Sequence, residues 1–147
     1  MTNPSWGYRP KRSLPPHRWQ ERLIPCAEKL KNVDIKSTDF ENIIKAPAKG
    51  KMVLMYLDPP YYLDSKKSHY RNSFSVRDHE RLSKILKKTK HKFFLSYDNN
   101  EEIKKMYSWA NIYDLKFFYR QDNSKDSNNK RKIGNEIVIT NYEIKKK

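Results

Sequence analysis

The sequence predicts an α/β fold whose sheet is mostly parallel and ends in an antiparallel hairpin. Two observations lead to this fold class. Apolar, strand-like runs alternate with stretches of helical periodicity, which is the pattern of strand–helix–strand units in a parallel sheet. The last two strand-like runs are joined by the polar segment 121–132 without an intervening helix, so the second run is expected to return antiparallel to the first. At 147 residues the chain holds one domain at most, or part of one.

The region before the first long strand is predicted to contain an arm, a helix and a helical turn. Residues 1–16 carry four prolines among basic and aromatic side chains, so we expect an extended basic arm. Residues 17–31 have apolar side chains at helical spacing, with one proline as an interruption. Residues 33–35 are predicted to form a short strand, and Asp39 either caps a helical turn over 40–45 or has a functional role.

From residue 52 onward, strands and helices alternate. Strands are predicted over 52–57, 92–97, 112–119 and 133–142, and helices over 75–88 and 101–109. The 52–57 run is apolar without alternation, as expected for a strand that is covered on both faces. Asn99 is expected to cap the helix that follows it.

Four residues at the end of the 52–57 run are the most informative in the chain: Asp58-Pro59-Pro60-Tyr61. The two prolines prevent the strand from continuing, so the carboxylate and the ring are presented at the carboxyl end of the strand, where open α/β sheets bind ligands. The tetrapeptide resembles the catalytic motif of methyltransferases that act on an exocyclic amino group of a base. The alternative interpretation is a proline-terminated strand with a solvated Asp58.

The residue types in this tetrapeptide suit methyl transfer to an amino nitrogen. The 6-amino group of adenine is a poor nucleophile, because its lone pair is delocalised into the ring. The Asp58 carboxylate and the Pro59 carbonyl can each accept one of its N–H groups, and the carboxylate is most favourable when positive charge develops on the nitrogen. Pro60 fixes the direction of the preceding carbonyl, and Tyr61 offers a ring face to a base taken out of the stack. Tyr62, one residue further on, is expected to matter less.

The charge balance predicts a polyanionic partner. Lysine and arginine number 32 against 17 acids, a formal net charge of +15, which favours nucleic acid over an acidic membrane surface. No apolar run approaches the roughly 20 residues that span a bilayer, and no signal-peptide core is visible, so we expect a cytoplasmic protein, associated with the nucleoid if it acts on DNA. Arg9, Lys11 and Arg12 are the predicted DNA-binding residues. Cys26 is the single cysteine and the four histidines lack metal-ligand spacing, so no metal site is predicted.

Four segments, the tetrapeptide and three others, matter together. They are Val-Asp-Ile-Lys-Ser-Thr-Asp-Phe at 33–40, Asp-Pro-Pro-Tyr at 58–61, Phe-Leu-Ser-Tyr-Asp-Asn at 94–99, and the run 136–142 that ends in Thr-Asn-Tyr. In this order they resemble the Dam-like family of adenine-specific DNA methyltransferases. The stretches 71–74 and 78–82 also fit the helix that follows the catalytic loop in that family. The resemblance covers the chain from about residue 30 to its end and implies part of a Rossmann-like class I methyltransferase sheet.

The resemblance also implies S-adenosyl-L-methionine as methyl donor and double-stranded DNA as substrate. Asp39 and Phe40 match the family pair that lies beside the adenine of the donor, so these two residues and Asp58 are the implied cofactor-binding residues. The glycine-rich donor loop of the family has no match, because the chain has only three glycines and no two lie close together. We therefore expect residues 17–147 to be the C-terminal part of a methyltransferase catalytic domain that needs a complementary N-terminal half.

Three hypotheses stay open from the sequence. The chain is a partial adenine-specific DNA methyltransferase, with residues 1–16 as the tail of the target-recognition region. Alternatively, it is a catalytically silent nucleic-acid-binding remnant, or part of an RNA methyltransferase that acts on the amino group of adenine or guanine. The matches at Asp39-Phe40 and at Thr140-Asn141-Tyr142 favour the DNA family. The recognition sequence and a link to restriction-modification are left open.

Overall fold

The computed structural model describes residues 14–50, 52–62, 74–118 and 133–145. The chain divides into two compact units, Met1–Ser37 and Thr38–Lys147, which are described separately. Residues 1–13, which form most of the predicted basic arm, and the polar segment 121–132 lie outside the described residues.

The described part of the first unit is a short helical segment. A 3₁₀ turn, Pro16–Arg18, leads into helix α1, Gln20–Leu30, and the proline at position 25 lies inside this helix without ending it. The predicted strand at 33–35 is wrong, because these residues have no regular structure and Ile35 is 74% exposed. A strand needs a hydrogen-bonded neighbour, and no strand among the described residues pairs with this segment.

The second unit is built on a four-stranded sheet. Its strands are β1 (Leu54–Leu57), β2 (Lys92–Asp98), β3 (Asn111–Phe118) and β4 (Ile133–Thr140), in the spatial order β1-β2-β4-β3. β1 pairs with β2 in parallel, and β4 pairs antiparallel with both β2 and β3. The α/β class and the antiparallel pairing of the last two strands are confirmed. The prediction of a mostly parallel sheet holds for strand direction, since β1, β2 and β3 run the same way, but β4 inserts between β2 and β3 and makes two of the three neighbouring pairs antiparallel.

Helices flank this sheet where the sequence predicts them. They are α2 (Phe40–Ile44), α3 (Val76–Lys88) and α4 (Glu101–Met106). α3 begins with a capping box in which the Ser75 hydroxyl accepts the Asp78 N–H and the Asp78 carboxylate accepts the Ser75 N–H. α4 is capped by Asn100, not by Asn99 as predicted: the Asn100 side chain accepts the Glu102 N–H at 2.8 Å. The Asn99 amide instead donates to side chains of β3 and β4.

The core of the second unit lies on the two central strands. β2 and β4 carry apolar residues that are fully enclosed, and α4 and the turn that follows it add two more. The fully enclosed side chains are Phe93, Leu95, Tyr97, Ile103, Tyr107, Ile137 and Ile139. Within the described parts of the chain, no helix combines the length and the apolar character needed to cross a membrane.

β1 forms an edge of the sheet, and one of its faces is open. Leu54 and Tyr56 are 63% and 68% exposed, whereas Met55 between them is buried. The expectation that the 52–57 strand is covered on both faces is therefore wrong for the described residues. The other face of the strand packs on the core, but no described element lies over Leu54 and Tyr56 or pairs with the outer edge of β1. The backbone groups on this outer edge of β1 therefore have no strand partner among the described residues.

Candidate active site

The predicted catalytic tetrapeptide lies at the carboxyl end of β1, beside the carboxyl end of β2. The two strands are parallel and Leu57 is in register with Leu95, so the residues that follow both strands meet at one edge of the sheet. This is the edge at which open α/β sheets bind ligands. Asp58 follows β1 directly, and Ser96 to Asp98 form the end of β2.

The Asp58 side chain is exposed to solvent and is held from the neighbouring strand. The Ser96 hydroxyl donates to Asp58 Oδ1 at 3.1 Å, and the same hydroxyl lies 3.5 Å from the Leu57 carbonyl. Ser96 itself is buried, with 6% of its surface exposed. A buried hydroxyl thus fixes one oxygen of an accessible carboxylate, while the rest of the carboxylate faces solvent. Pro59 and Pro60 are half-buried behind it.

The two tyrosines that follow the prolines have different environments. Tyr61 is half-buried, whereas Tyr62 is 6% exposed. The Tyr62 N–H donates to Asp98 Oδ1 at 2.9 Å, and its ring packs edge-on against His79 with 5.3 Å between ring centres. Tyr62 therefore anchors the loop that presents Asp58 and Tyr61, and the expectation that its substitution matters less for methyl transfer stays a prediction. The sequence held one signal for this anchor: Asp98 ends an apolar strand as Asp58 does.

A buried histidine links this loop to β2. His79 on α3 has no exposed surface, and its Nδ1 lies 2.7 Å from the Tyr97 hydroxyl. Burial lowers the pKa of His79 below its ordinary value, and the negative charges of Asp98 and Asp78 oppose this effect. Burial also raises the pKa of the Tyr97 hydroxyl, so both members of this hydrogen bond are neutral at neutral pH. These contacts agree with the interpretation of His79 as a structural residue.

Asp39 and Phe40 lie at the start of α2 and are held by a single arginine of α3. Arg81 donates to both oxygens of Asp39 at 2.9 Å, and its guanidinium lies 4.2 Å from the centre of the Phe40 ring. Asp39 also caps α2 by accepting the Glu41 N–H at 2.9 Å. These hydrogen bonds, that of Arg81 first, hold the pKa of Asp39 below its usual range. The predicted cap is confirmed, and the cofactor role of Asp39 and Phe40 stays a prediction.

Aromatic contacts connect the Asp39-Phe40 pair with the loop after β1 that carries the tetrapeptide. The Phe40 and Phe74 rings are 5.4 Å apart, and Phe74 is 5.3 Å from His79, which in turn packs on Tyr62. The start of α2 and the loop after β1 are therefore joined through the first turns of α3. The sequence indicated neither Arg81 nor His79 as the residues that make this connection.

Two further predictions concern the DNA-binding residues and a metal site. Arg9, Lys11 and Arg12 are outside the described residues. Among the described side chains, no group of three or more His, Cys, Asp or Glu residues is arranged to hold a metal ion.

A cavity of about 830 Å³ lies at the amino ends of β1 and β2, at the opposite end of these strands from Asp58. Its lining includes the apolar residues Ile44 and Val53. Its basic lining residues are Lys45, Lys84, Lys88, Lys90, His91 and Lys92.

Comparison with known proteins identifies a family for this chain. Residues 8–121 match the family model of the D12 class N6 adenine-specific DNA methyltransferases. The matched residues include the start of α2, the tetrapeptide after β1, and the strand end that carries Ser96 and Asp98. No curated protein matches the chain at a significant level.

The buried His79 predicts a pH dependence of stability. Its pKa is lowered in the folded state from an ordinary value of 6.5, so the unfolded chain takes up the proton more readily. The free energy of unfolding should therefore decrease as the pH falls below about 6.5 and should go on decreasing to the folded-state pKa. Urea unfolding between pH 8 and pH 5 measures this slope. His79→Gln should flatten it, whereas His17→Gln, at an exposed position, should not. An unchanged slope in His79→Gln would contradict the assignment.

Proposed function

The chain belongs to the D12 class N6 adenine-specific DNA methyltransferase family, and we propose that it forms part of an enzyme that transfers a methyl group from S-adenosyl-L-methionine to the 6-amino group of adenine in DNA. The observation that carries this proposal is the tetrapeptide Asp58 to Tyr61 at the carboxyl edge of a parallel strand pair, with its carboxylate exposed and oriented by Ser96. A solvated aspartate after a proline-terminated strand would not need a buried hydroxyl to orient it.

In the proposed reaction, the chain's own groups orient and polarise the amino group of the base. Asp58 and the Pro59 carbonyl each accept one N–H of the amino group, which frees its lone pair. The Asp58 charge stabilises the transition state more than the ground state, because positive charge develops on the nitrogen. The half-buried Tyr61 ring supports a base that has left the stack. When bound, S-adenosyl-L-methionine supplies an electrophilic methyl group on a sulfonium.

Asp39, Phe40 and Asp58 are the residues that would hold the methyl donor, and they fit only part of it. The Asp39 carboxylate accepts three hydrogen bonds, two from Arg81 and one from the Glu41 N–H. Because a carboxylate has about four lone-pair sites, it has room for one further donor, such as a ribose hydroxyl. The half-buried Phe40 ring offers apolar surface for the adenine of the donor. The methionine end needs a close backbone approach, for which the three dispersed glycines offer no loop.

The open edge of β1 supports the proposal that this chain is one part of a Rossmann-like sheet. Leu54 and Tyr56 form an apolar surface on a strand whose outer edge has no partner among the described residues. A further strand paired with this edge would satisfy its backbone groups, and elements that come with that strand would cover the exposed face. We propose that a complementary methyltransferase half supplies this strand together with the glycine-rich donor loop. Asp58 would then lie inside the completed sheet.

A second candidate function is nucleic-acid binding without catalysis. The net charge of +15 supports it, because positive charge favours binding to phosphates. The scarcity of glycine supports it as well, because a chain without a glycine-rich donor loop is compatible with a loss of methyl transfer. An RNA substrate is the third candidate, because the same amino group occurs in RNA. Methyl transfer to DNA distinguishes the first candidate from the other two.

Substitution of Asp58 tests the catalytic proposal. In a preparation that methylates DNA, Asp58→Ala should reduce single-turnover transfer of labelled methyl groups by roughly 10²–10³-fold, because a preorganised acceptor in the transition state is lost. The affinity for DNA should change little. Tyr61→Ala should weaken capture of the base by about 1–3 kcal/mol, and Tyr61→Phe should be mild because the ring face is used.

Asp34→Ala is the matched control for this experiment, since Asp34 is an exposed aspartate in the first unit. It should leave transfer unchanged. Near-normal transfer by Asp58→Ala would remove the catalytic role of the tetrapeptide and leave a proline-terminated strand.

Binding of the chain to duplex DNA should depend steeply on salt. With a net charge of +15, we expect the logarithm of the association constant to fall linearly with the logarithm of salt concentration. Replacing Arg9, Lys11 and Arg12 with Ala should make this negative slope shallower by up to about three, or roughly one for each lost phosphate contact. Replacing the exposed Lys87, Lys105 and Lys116 controls for net charge alone. Equal effects of the two triple variants would argue against a role for the arm.

The chain alone should bind S-adenosyl-L-methionine weakly or not at all. The reason is that the chain supplies Asp39, Phe40 and Asp58 but no glycine loop for the methionine end of the donor. Isothermal titration calorimetry of the purified chain measures the affinity. Micromolar binding would show that the donor site is complete without a second half.

A further inference from the structure

The loop from Asp58 to Tyr62 has few backbone donors of its own with which it can be held. Pro59 and Pro60 have no N–H, so the first backbone donors after Asp58 are those of Tyr61 and Tyr62. Contacts at its two ends therefore contribute to any fixed geometry of this loop. The structure supplies a contact at each end, and both come from β2.

The first contact is the Ser96 hydroxyl on the Asp58 carboxylate, and the second is the Asp98 carboxylate on the Tyr62 N–H. Ser96 and Asp98 are two residues apart on one strand, 6% and 8% exposed. Burying a carboxylate is unfavourable unless it accepts hydrogen bonds. The burial of Asp98 therefore depends on hydrogen bonds such as that from the Tyr62 N–H. Hydrogen bonds from an N–H group to a charged carboxylate are also stronger than those between neutral groups.

We propose that Ser96 and Asp98 are positioning residues that clamp the catalytic loop at both ends. This inference rests on the proposed function, because positioning has a meaning only if the loop acts on a base. Ser96 sets the direction of the Asp58 carboxylate, and Asp98 fixes the backbone at Tyr62. The two prolines between these points transmit both restraints to the Pro59 carbonyl and to Tyr61. Neither Ser96 nor Asp98 needs to touch the base.

The packing of Tyr62 strengthens the second contact. Its ring is buried against His79, whose Nδ1 is hydrogen-bonded to Tyr97, the neighbour of Asp98 on β2. The Tyr62 backbone is thus held directly by the end of β2. The Tyr62 side chain is held by the same strand end through His79 of α3. A displacement of about 1 Å in a reacting group can cost about 100-fold in rate, which is the scale on which such a clamp acts.

Amide hydrogen exchange of the full chain, labelled with ¹⁵N, tests the clamp without any need for activity. Asp98→Ala should accelerate exchange of the Tyr62 amide by roughly tenfold or more, the equivalent of one lost hydrogen bond of about 1.4 kcal/mol. The amides of Leu82 and Leu86 inside α3 should keep their protection. Asp98→Asn keeps an acceptor oxygen and should restore most of the Tyr62 protection. Asp114→Ala, at an exposed position on β3, is the matched control.

Methyl transfer by the same variants tests the catalytic side of the clamp. Asp98→Ala and Ser96→Ala should lower kcat by roughly 10- to 100-fold with little change in KM for DNA. Ser96→Thr, which keeps the hydroxyl, should recover most of the loss. A purely structural role for Asp98 predicts instead that all amides lose protection together, and that result would overturn the proposal.

The two measurements separate failure of the clamp from failure of the function. Unchanged Tyr62 exchange in Asp98→Ala overturns the clamp even if the wild-type protein methylates DNA. Absence of methyl transfer from wild-type protein, reconstituted with a complementary half, overturns the proposed function and with it the catalytic meaning of the clamp. Faster Tyr62 exchange together with lower kcat in Asp98→Ala supports both.

Discussion

Asp58 lies beside Ser96, and Tyr62 lies beside Asp98, because β1 and β2 run in the same direction and pair with Leu57 opposite Leu95. An antiparallel pairing would put the two strand ends at opposite edges of the sheet, and the loop after β1 would lose its contacts with Ser96 and Asp98. The candidate site therefore depends first on this one parallel pairing. The prolines of the loop make the dependence stronger, since they remove the backbone donors that another loop would use to hold itself.

Helix α3 carries the second level of organisation. Its first turns contribute His79 to the loop after β1 and Arg81 to the start of α2. The Arg81 guanidinium pairs with Asp39 through two parallel hydrogen bonds, a geometry that restricts orientation as well as distance. Because the Arg81 and Asp39 side chains are 38% and 45% exposed, solvent screens the pair and it contributes little to stability by itself. Its effect is to fix where α2 begins relative to the candidate catalytic loop.

Many elements could be predicted from the sequence because their causes are local. The capping box at Ser75 and Asp78, the cap at Asp39 and the proline stop after Leu57 each involve residues within a few positions of one another. Predictions were wrong where a choice between neighbours or a distant partner decided the outcome. Asn99 and Asn100 are chemically the same, and only the cross-strand contacts of Asn99 with β3 and β4 leave the cap to Asn100. The 33–35 segment has strand-like residues but no strand beside it.

The sequence by itself determined the candidate residues for the proposed chemistry: an acid, two prolines and an aromatic ring at the end of an apolar strand in a strongly basic chain. These are properties of residue type and of neighbours along the chain. Only the tertiary structure decided what holds that chemistry in place. Ser96 meets Asp58, Asp98 meets Tyr62 and Arg81 meets Asp39 across separations of 38, 36 and 42 residues. Contacts of this kind depend on strand register and helix packing, because a shift of one residue in a strand turns each side chain to the opposite face.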